Sequence, residues 1–158
     1  FVEMWRGDKP ERSGIIWWNI RDGWPILSDA VVDYYNSKKM GYYFLKNVQH
    51  NRCVFINDAR EKEHPLVAVN DTRIPATGVV EVIDVATGNP VYKGSFSIEA
   101  NGRTLIGTLP EREGQGILLI KYTIEGEEYA NHYLYGKPPF KLDKYKELLT
   151  KTNIYSIN

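Results

Sequence analysis

Cysteine is nearly absent from this sequence. Cys53 stands alone among 158 residues, which excludes an internal disulfide and a multi-cysteine metal site. Long apolar runs are missing too: nothing approaches the ~20 residues a membrane-spanning helix needs, so no membrane contact is expected. Net charge is also lacking, because 20 Lys and Arg balance 20 Asp and Glu. Without an excess of one sign the chain has no broad electrostatic footprint for nucleic acid, and none is expected as a partner. Internal repeats, low-complexity stretches, a glycine-rich phosphate loop, a Ser/His/Asp order and zinc-ligand spacing are not found. The first residue is Phe rather than Met, and no charged-then-apolar leader follows. The expectation is a piece of a longer chain or a processed product.

What is abundant is aromatic: 13% of residues, with all four tryptophans, Trp5, Trp17, Trp18 and Trp24, near the start. Residues 2–6 read as the tail of a helix stopped by Gly7 and Pro10. The run GIIWWNI at 14–20 is continuously apolar and of strand length, as expected for a strand buried on both faces of a parallel sheet. RDGWP at 21–25 is turn chemistry. From 37 to 49 the pattern is helical, with Met40, Tyr43, Phe44 and Val48 on one face and Asn36 or Ser37 as N-cap.

Beyond residue 50 the pattern changes. Short period-two or apolar runs at 53–56, 66–70, 78–84, 90–98, 104–109, 116–124 and 128–135 alternate with turn residues such as Asn101 and Gly102, or Glu125 and Gly126. About seven short strands at this spacing predict an immunoglobulin-like two-sheet sandwich, and a mainly β fold. A short helix is expected near 144–149. Three regions follow: 1–50, 51–137 and 138–158. The first supplies one doubly apolar strand and about one and a half helices, which cannot close a sheet alone. Two readings stand on pattern: the last unit of a (β/α)₈ barrel, or a helical appendage packed on the sandwich.

The order GIIWWNIRDGWP (14–25), Ser28 and Asp29, Asp33 to Tyr35, Lys39 and a tyrosine-rich helix resembles the end of the catalytic barrel of glycoside hydrolase family 2. The likeness is to its β-mannosidase-like branch, where a WQLNDxWP pattern follows the eighth strand. HPL (64–66), VND (69–71), NHYLYG (131–136) and PPF (138–140) resemble the immunoglobulin-like domain that follows the barrel there. Asn19 stands where the pattern often has Gln, and Arg21 where it often has Asn, so sugar and linkage stay open.

The resemblance implies a parent enzyme that is a retaining, exo-acting glycosidase cleaving terminal β-glycosidic bonds without a cofactor. Retention needs two carboxyl groups about 5–5.5 Å apart; in this family both lie upstream of everything present here, so no catalytic residue is assigned and the piece alone is expected to be inactive. Trp18 takes the position whose ring floors the sugar subsite, and an aromatic face suits the C–H face of a pyranose. Asn19 and Asp22 are candidate partners of sugar hydroxyls, and Trp24 a candidate rim. Trp17, of opposite parity to Trp18, is expected on the helix layer or in the core. Glu3 is expected on a solvated helix face, and Asp29 and Asp33 as loop-orienting caps. His50, His64 and His132 are expected to be solvated or capping, and no metal site is expected. Tyr129, Tyr133 and Tyr135 share one strand parity, which fits either an exposed carbohydrate platform or a half-buried sheet face.

Expected partners are a carbohydrate substrate of the parent, the rest of the catalytic barrel, and a second copy through the exposed barrel remnant. A non-catalytic carbohydrate-binding or structural sandwich module is the alternative function. One cysteine is compatible with either redox compartment, which leaves a periplasmic or secreted parent open.

Overall fold

A computed structural model describes residues 1–12, 14–59 and 61–155. Two helices, α1 (Val2–Gly7) and α2 (Met40–Val48), precede seven strands. These are β1 (Arg52–Ile56), β2 (Glu63–Asn70), β3 (Ala76–Asp84), β4 (Pro90–Ile98), β5 (Arg103–Pro110), β6 (Gly116–Ile124) and β7 (Glu127–Tyr135). Helix α3 (Leu142–Thr152) closes the chain. All strand pairs are antiparallel, in a three-stranded sheet β1-β2-β5 and a four-stranded sheet β4-β3-β6-β7. The two sheets enclose Val54, Ile56, Leu66, Ala68, Val80, Val82, Phe96, Ile98, Leu118, Ile120, Tyr122 and Ile124. This is the seven-stranded sandwich the sequence predicts.

Local chemistry sets the turns. Ile124 pairs with Glu127 across Glu125 and Gly126, whose φ values of 51° and 86° are the two positive angles of a type I′ hairpin. At the end of β3 the Asp84 carboxylate accepts the Ala86 amide and is paired with Arg112, fixing the turn into β4. β6 is apolar on both faces because each face has a cover. Leu118 and Ile120 face the sandwich, while Ile117 meets Leu148 and Leu149 of α3.

The outer face of the three-stranded sheet buries Cys53, Phe55, Val67 and Val69. Helix α1 lies against it: a Cβ on Gly7 would come within 3.2 Å of the Phe55 ring and 2.7 Å of Asn57 Nδ2. Cys53 is a core residue, and burial pushes its thiol up to about 11.

The first region is tied to the sandwich by a polar seam at the β1/β7 edge. Asn131 of β7 donates to Glu3 Oε1 at 2.6 Å and to the Val54 carbonyl at 3.2 Å. Asn47 of α2 donates to the Ala130 carbonyl at 3.1 Å. Arg6 donates to the Val48 and His50 carbonyls and pairs with Asp71, as does Lys9.

Several expectations are corrected. The run at 14–20 forms no strand among the described residues: bends fall at Trp18 and Ile20, and the nearest ladder contact is one parallel bridge, Arg21 to Val32. A strand needs a paired neighbour along its length, and the single tie from the Val32 amide to the Ile20 carbonyl does not make one. Helix α2 starts at Met40 with Lys39 as N-cap rather than Asn36 or Ser37, because those two lie in a turn where Asp33 Oδ1 accepts the Ser37 amide at 2.7 Å. Glu3 is not a solvated helix residue: its carboxyl is buried in the seam. His132 is not solvated either; it contacts Phe44 and sits 3.0 Å from the Tyr155 hydroxyl. Helix α3 is longer than expected at both ends. Tyr129, Tyr133 and Tyr135 pack against the inter-sheet core, so they form no exposed platform. No helix of the described residues is long and apolar enough to cross a membrane.

Candidate functional site

The candidate residues lie on a single segment between α1 and α2. Trp18 is 75% exposed. Asn19, joined to it by a cis peptide, is also exposed. Trp17 lines a cavity of about 390 Å³ with Val2, Phe44 and Leu45, which places it on the helix side. Trp17 is nonetheless 39% exposed, so the two indoles are not divided between a buried face and an open one.

After Ile20 the chain makes a loop closed by its own backbone. Val32 donates to the Ile20 carbonyl and Asp22 to the Val32 carbonyl, both at 3.0 Å. Lys39 donates to the Val31 carbonyl at 2.9 Å, and Arg21 Nη2 to the Tyr34 carbonyl at 3.0 Å. Between these ties Trp24, Ile26 and Leu27 project outward, Leu27 being 95% exposed.

Asp22 is placed differently from its neighbours. It is only 4% exposed. One carboxylate oxygen accepts from the Ser28 hydroxyl, and the other accepts from Lys39 Nζ at 2.8 Å. Those hydrogen bonds, from Lys39 first and Ser28 second, hold its carboxyl below the usual range despite desolvation. Ser28 Oγ in turn accepts the Ala30 amide at 3.1 Å, and Lys39 also reaches the Ser28 carbonyl at 3.2 Å. Trp18, Asn19 and Trp24 therefore present side chains to solvent, while Asp22 is occupied inside the loop.

Lys39 and Ser28 are the residues to which sequence reasoning gave no role. The signal was an acid inside an apolar turn, which needs a cation, and a lysine at the mouth of the next helix. Nothing in the spacing alone says that the two meet.

Asp33 caps the Ser37 amide, and Asp29 is exposed. His64 Nδ1 sits 3.1 Å from the Asn57 carbonyl and 3.2 Å from the Tyr133 hydroxyl, remote from the loop in sequence. Among the described residues no group of three or more His, Cys, Asp or Glu is placed to hold a metal ion.

Comparison with known proteins shows what the chain is similar to. No family model matches the chain. It is 27% identical to β-mannosidase B of Aspergillus niger, over 80% of this chain and 16% of that protein. The crystal structure of a β-D-mannosidase from Dictyoglomus thermophilum superposes with a TM-score of 0.74 at 26% identity, covering 89% of this chain and 18% of that one. An exo-chitosanase of Amycolatopsis orientalis shares the fold, with a TM-score of 0.60 at 19% identity over 83% of this chain and 16% of that one. The chain thus spans less than a fifth of the length of these relatives. The chain shows homology to β-mannosidases of glycoside hydrolase family 2 and matches only a small fraction of each, consistent with a C-terminal fragment.

Proposed function

We propose that this chain acts as the C-terminal part of a retaining, exo-acting glycoside hydrolase that cleaves terminal β-glycosidic bonds, with β-mannosides the first candidates. Residues 1–50 are the last strand and helix of its catalytic barrel, 51–137 its accessory sandwich and 138–158 a tail. The two catalytic carboxylates come from earlier barrel units, as do the neighbouring strands. Trp18 floors the sugar pocket, Asn19 hydrogen-bonds a hydroxyl, Trp24 rims the entrance, and Asp22 serves the site from inside the loop.

One observation carries this reading. Ile16, Trp18 and Ile20 are mostly exposed, on a run whose composition calls for burial on both faces. Such a run belongs inside a parallel barrel, where strand C-terminal ends face the active site. The names of the relatives, β-mannosidase among them, support a carbohydrate substrate. The alternative, a non-catalytic sugar-binding module, loses its tyrosine platform because the β7 tyrosines pack against the core, and rests on the exposed Trp18 and Trp24.

The test is a longer protein that contains this sequence and the missing barrel units, assayed on aryl β-mannoside, β-glucosaminide and β-galactoside. Turnover of at least one is expected. Trp18→Ala should lower its kcat/KM by roughly 30- to 100-fold, the loss of a stacked ring worth about 2–3 kcal/mol in a desolvated pocket. An unchanged kcat/KM discards Trp18 as the floor, and no turnover of any aryl glycoside discards the function.

A further inference from the structure

We infer that Lys39 is a positioning residue for the sugar site, acting through Asp22 on the loop that carries Trp24; this rests on the reading just given. The geometry is that of a clasp. Lys39 Nζ donates to Asp22 Oδ2 at 2.8 Å, at the entry of the loop, and to the Ser28 carbonyl at 3.2 Å, at its exit. Ser28 completes the ring by donating to Asp22 Oδ1 and accepting the Ala30 amide. Ala30 and Val31, which follow the loop, are buried, while Trp24, Ile26 and Leu27 within it stand in solvent. An excursion of apolar side chains has no core of its own to hold it, so its conformation depends on these polar ties.

Two features separate the clasp from ordinary stabilisation of the fold. First, no residue from 8 to 43 belongs to the three apolar clusters among the described residues. The sandwich does not need the loop. Second, the Asp22 side chain is 1% accessible and Lys39 is its ion-pair partner, while the nearby guanidinium of Arg21 is directed to the Tyr34 carbonyl. Removing the ammonium leaves a buried carboxylate with one hydroxyl for company, a state that the loop escapes by opening. Opening moves Trp24 and the chain that follows Asn19, since Ile20 and Asp22 are tied to Val32. Small displacements of substrate-positioning groups are costly to catalysis.

The experiment compares Lys39→Met, Lys39→Arg and Asp22→Asn with the parent sequence in two formats. In this chain, backbone hydrogen exchange reads the loop directly. Lys39→Met should raise exchange at the Asp22, Ala30 and Val32 amides about tenfold or more while β1–β7 are unchanged. In the longer protein, Lys39→Met should lower kcat/KM on the accepted aryl glycoside by about tenfold or more, with Lys39→Arg recovering most of it because the charge is retained. Asp22→Asn should resemble Lys39→Met.

Unchanged loop exchange in Lys39→Met overturns the clasp whatever the enzyme does. Faster loop exchange with unchanged kcat/KM overturns the positioning role, as does equal loss in Lys39→Arg and Lys39→Met. If the longer wild-type protein turns over no glycoside, the functional reading fails, and the exchange data still decide whether the clasp exists.

Discussion

Glu3 sits on a six-residue helix, yet its carboxyl ends against Asn131 of β7 and not in water. Burial raises its pKa above the ordinary 4.5, and the Asn131 hydrogen bond only partly offsets this. A raised folded-state value means that the native protein holds this proton more tightly than the unfolded chain. Its contribution to stability is therefore full below about pH 4.5 and lost as pH rises through the raised value. His132 works in the opposite sense. Burial pushes it down to about 4 from 6.5, so its contribution is full above pH 6.5 and fades as pH falls towards 4. Glu3→Gln removes the first dependence and leaves the second. The stability of wild type minus that of Glu3→Gln, from urea unfolding between pH 4.5 and 7, should fall as pH rises. A flat difference would mean that Glu3 is solvated, as its place on a short helix first suggests. That misreading has a physical reason: Asn131 is 128 residues away, and helical position alone says nothing about a partner delivered by the far edge of the sandwich.

The strands were legible for the opposite reason, because their signals are local. Alternation, β-branched runs and paired turn residues lie within each hairpin, and β4 and β6 have the bounds that the pattern predicts. The run at 14–20 carries an equally strong strand signal and forms no strand among the described residues, since pairing depends on a neighbouring strand and not on local pattern. The same locality explains the site: the exposed tryptophans were readable from the motif, whereas the Lys39–Asp22 pair was not. Within β3, close approach sets a limit that pattern does not reveal. A Cβ on Gly78 would lie 2.5 Å from the Thr123 carbonyl oxygen of β6 and 2.6 Å from the Phe96 ring of β4. Backbone on one side and a core ring on the other leave little room to relax. Gly78→Ala should destabilise by about 2–3 kcal/mol in urea unfolding. A loss below about 0.5 kcal/mol would mean that the β3–β6 spacing is looser than described.

The molecule as a whole combines a closed sandwich with an open flank. Among the described residues the sandwich buries three apolar clusters, while Ile16, Trp18, Ile20, Trp24, Leu27 and Tyr35, on the segment that bears the candidate site, face solvent. Exposed apolar surface on this scale marks an interface. In the proposed enzyme the interface is filled by the other barrel units; for the isolated chain the available cover is a second copy. Sedimentation velocity should then show concentration-dependent association, and the double variant Ile16→Lys, Leu27→Lys should reduce it while leaving the urea midpoint of the sandwich unchanged. Association should not restore chemistry. A retaining mechanism needs two carboxyl groups at about 5–5.5 Å with one free to attack; on this loop Asp22 is held by Lys39 and Asp33 by the Ser37 amide, which leaves the exposed Asp29 without a second free carboxylate on the loop. The isolated chain should leave aryl β-mannosides intact at every concentration, whether monomeric or associated. Steady turnover that persists through purification and tracks the protein peak would mean that the bond-breaking groups lie within these 158 residues after all, and that the exposed segment is not the edge of a larger barrel.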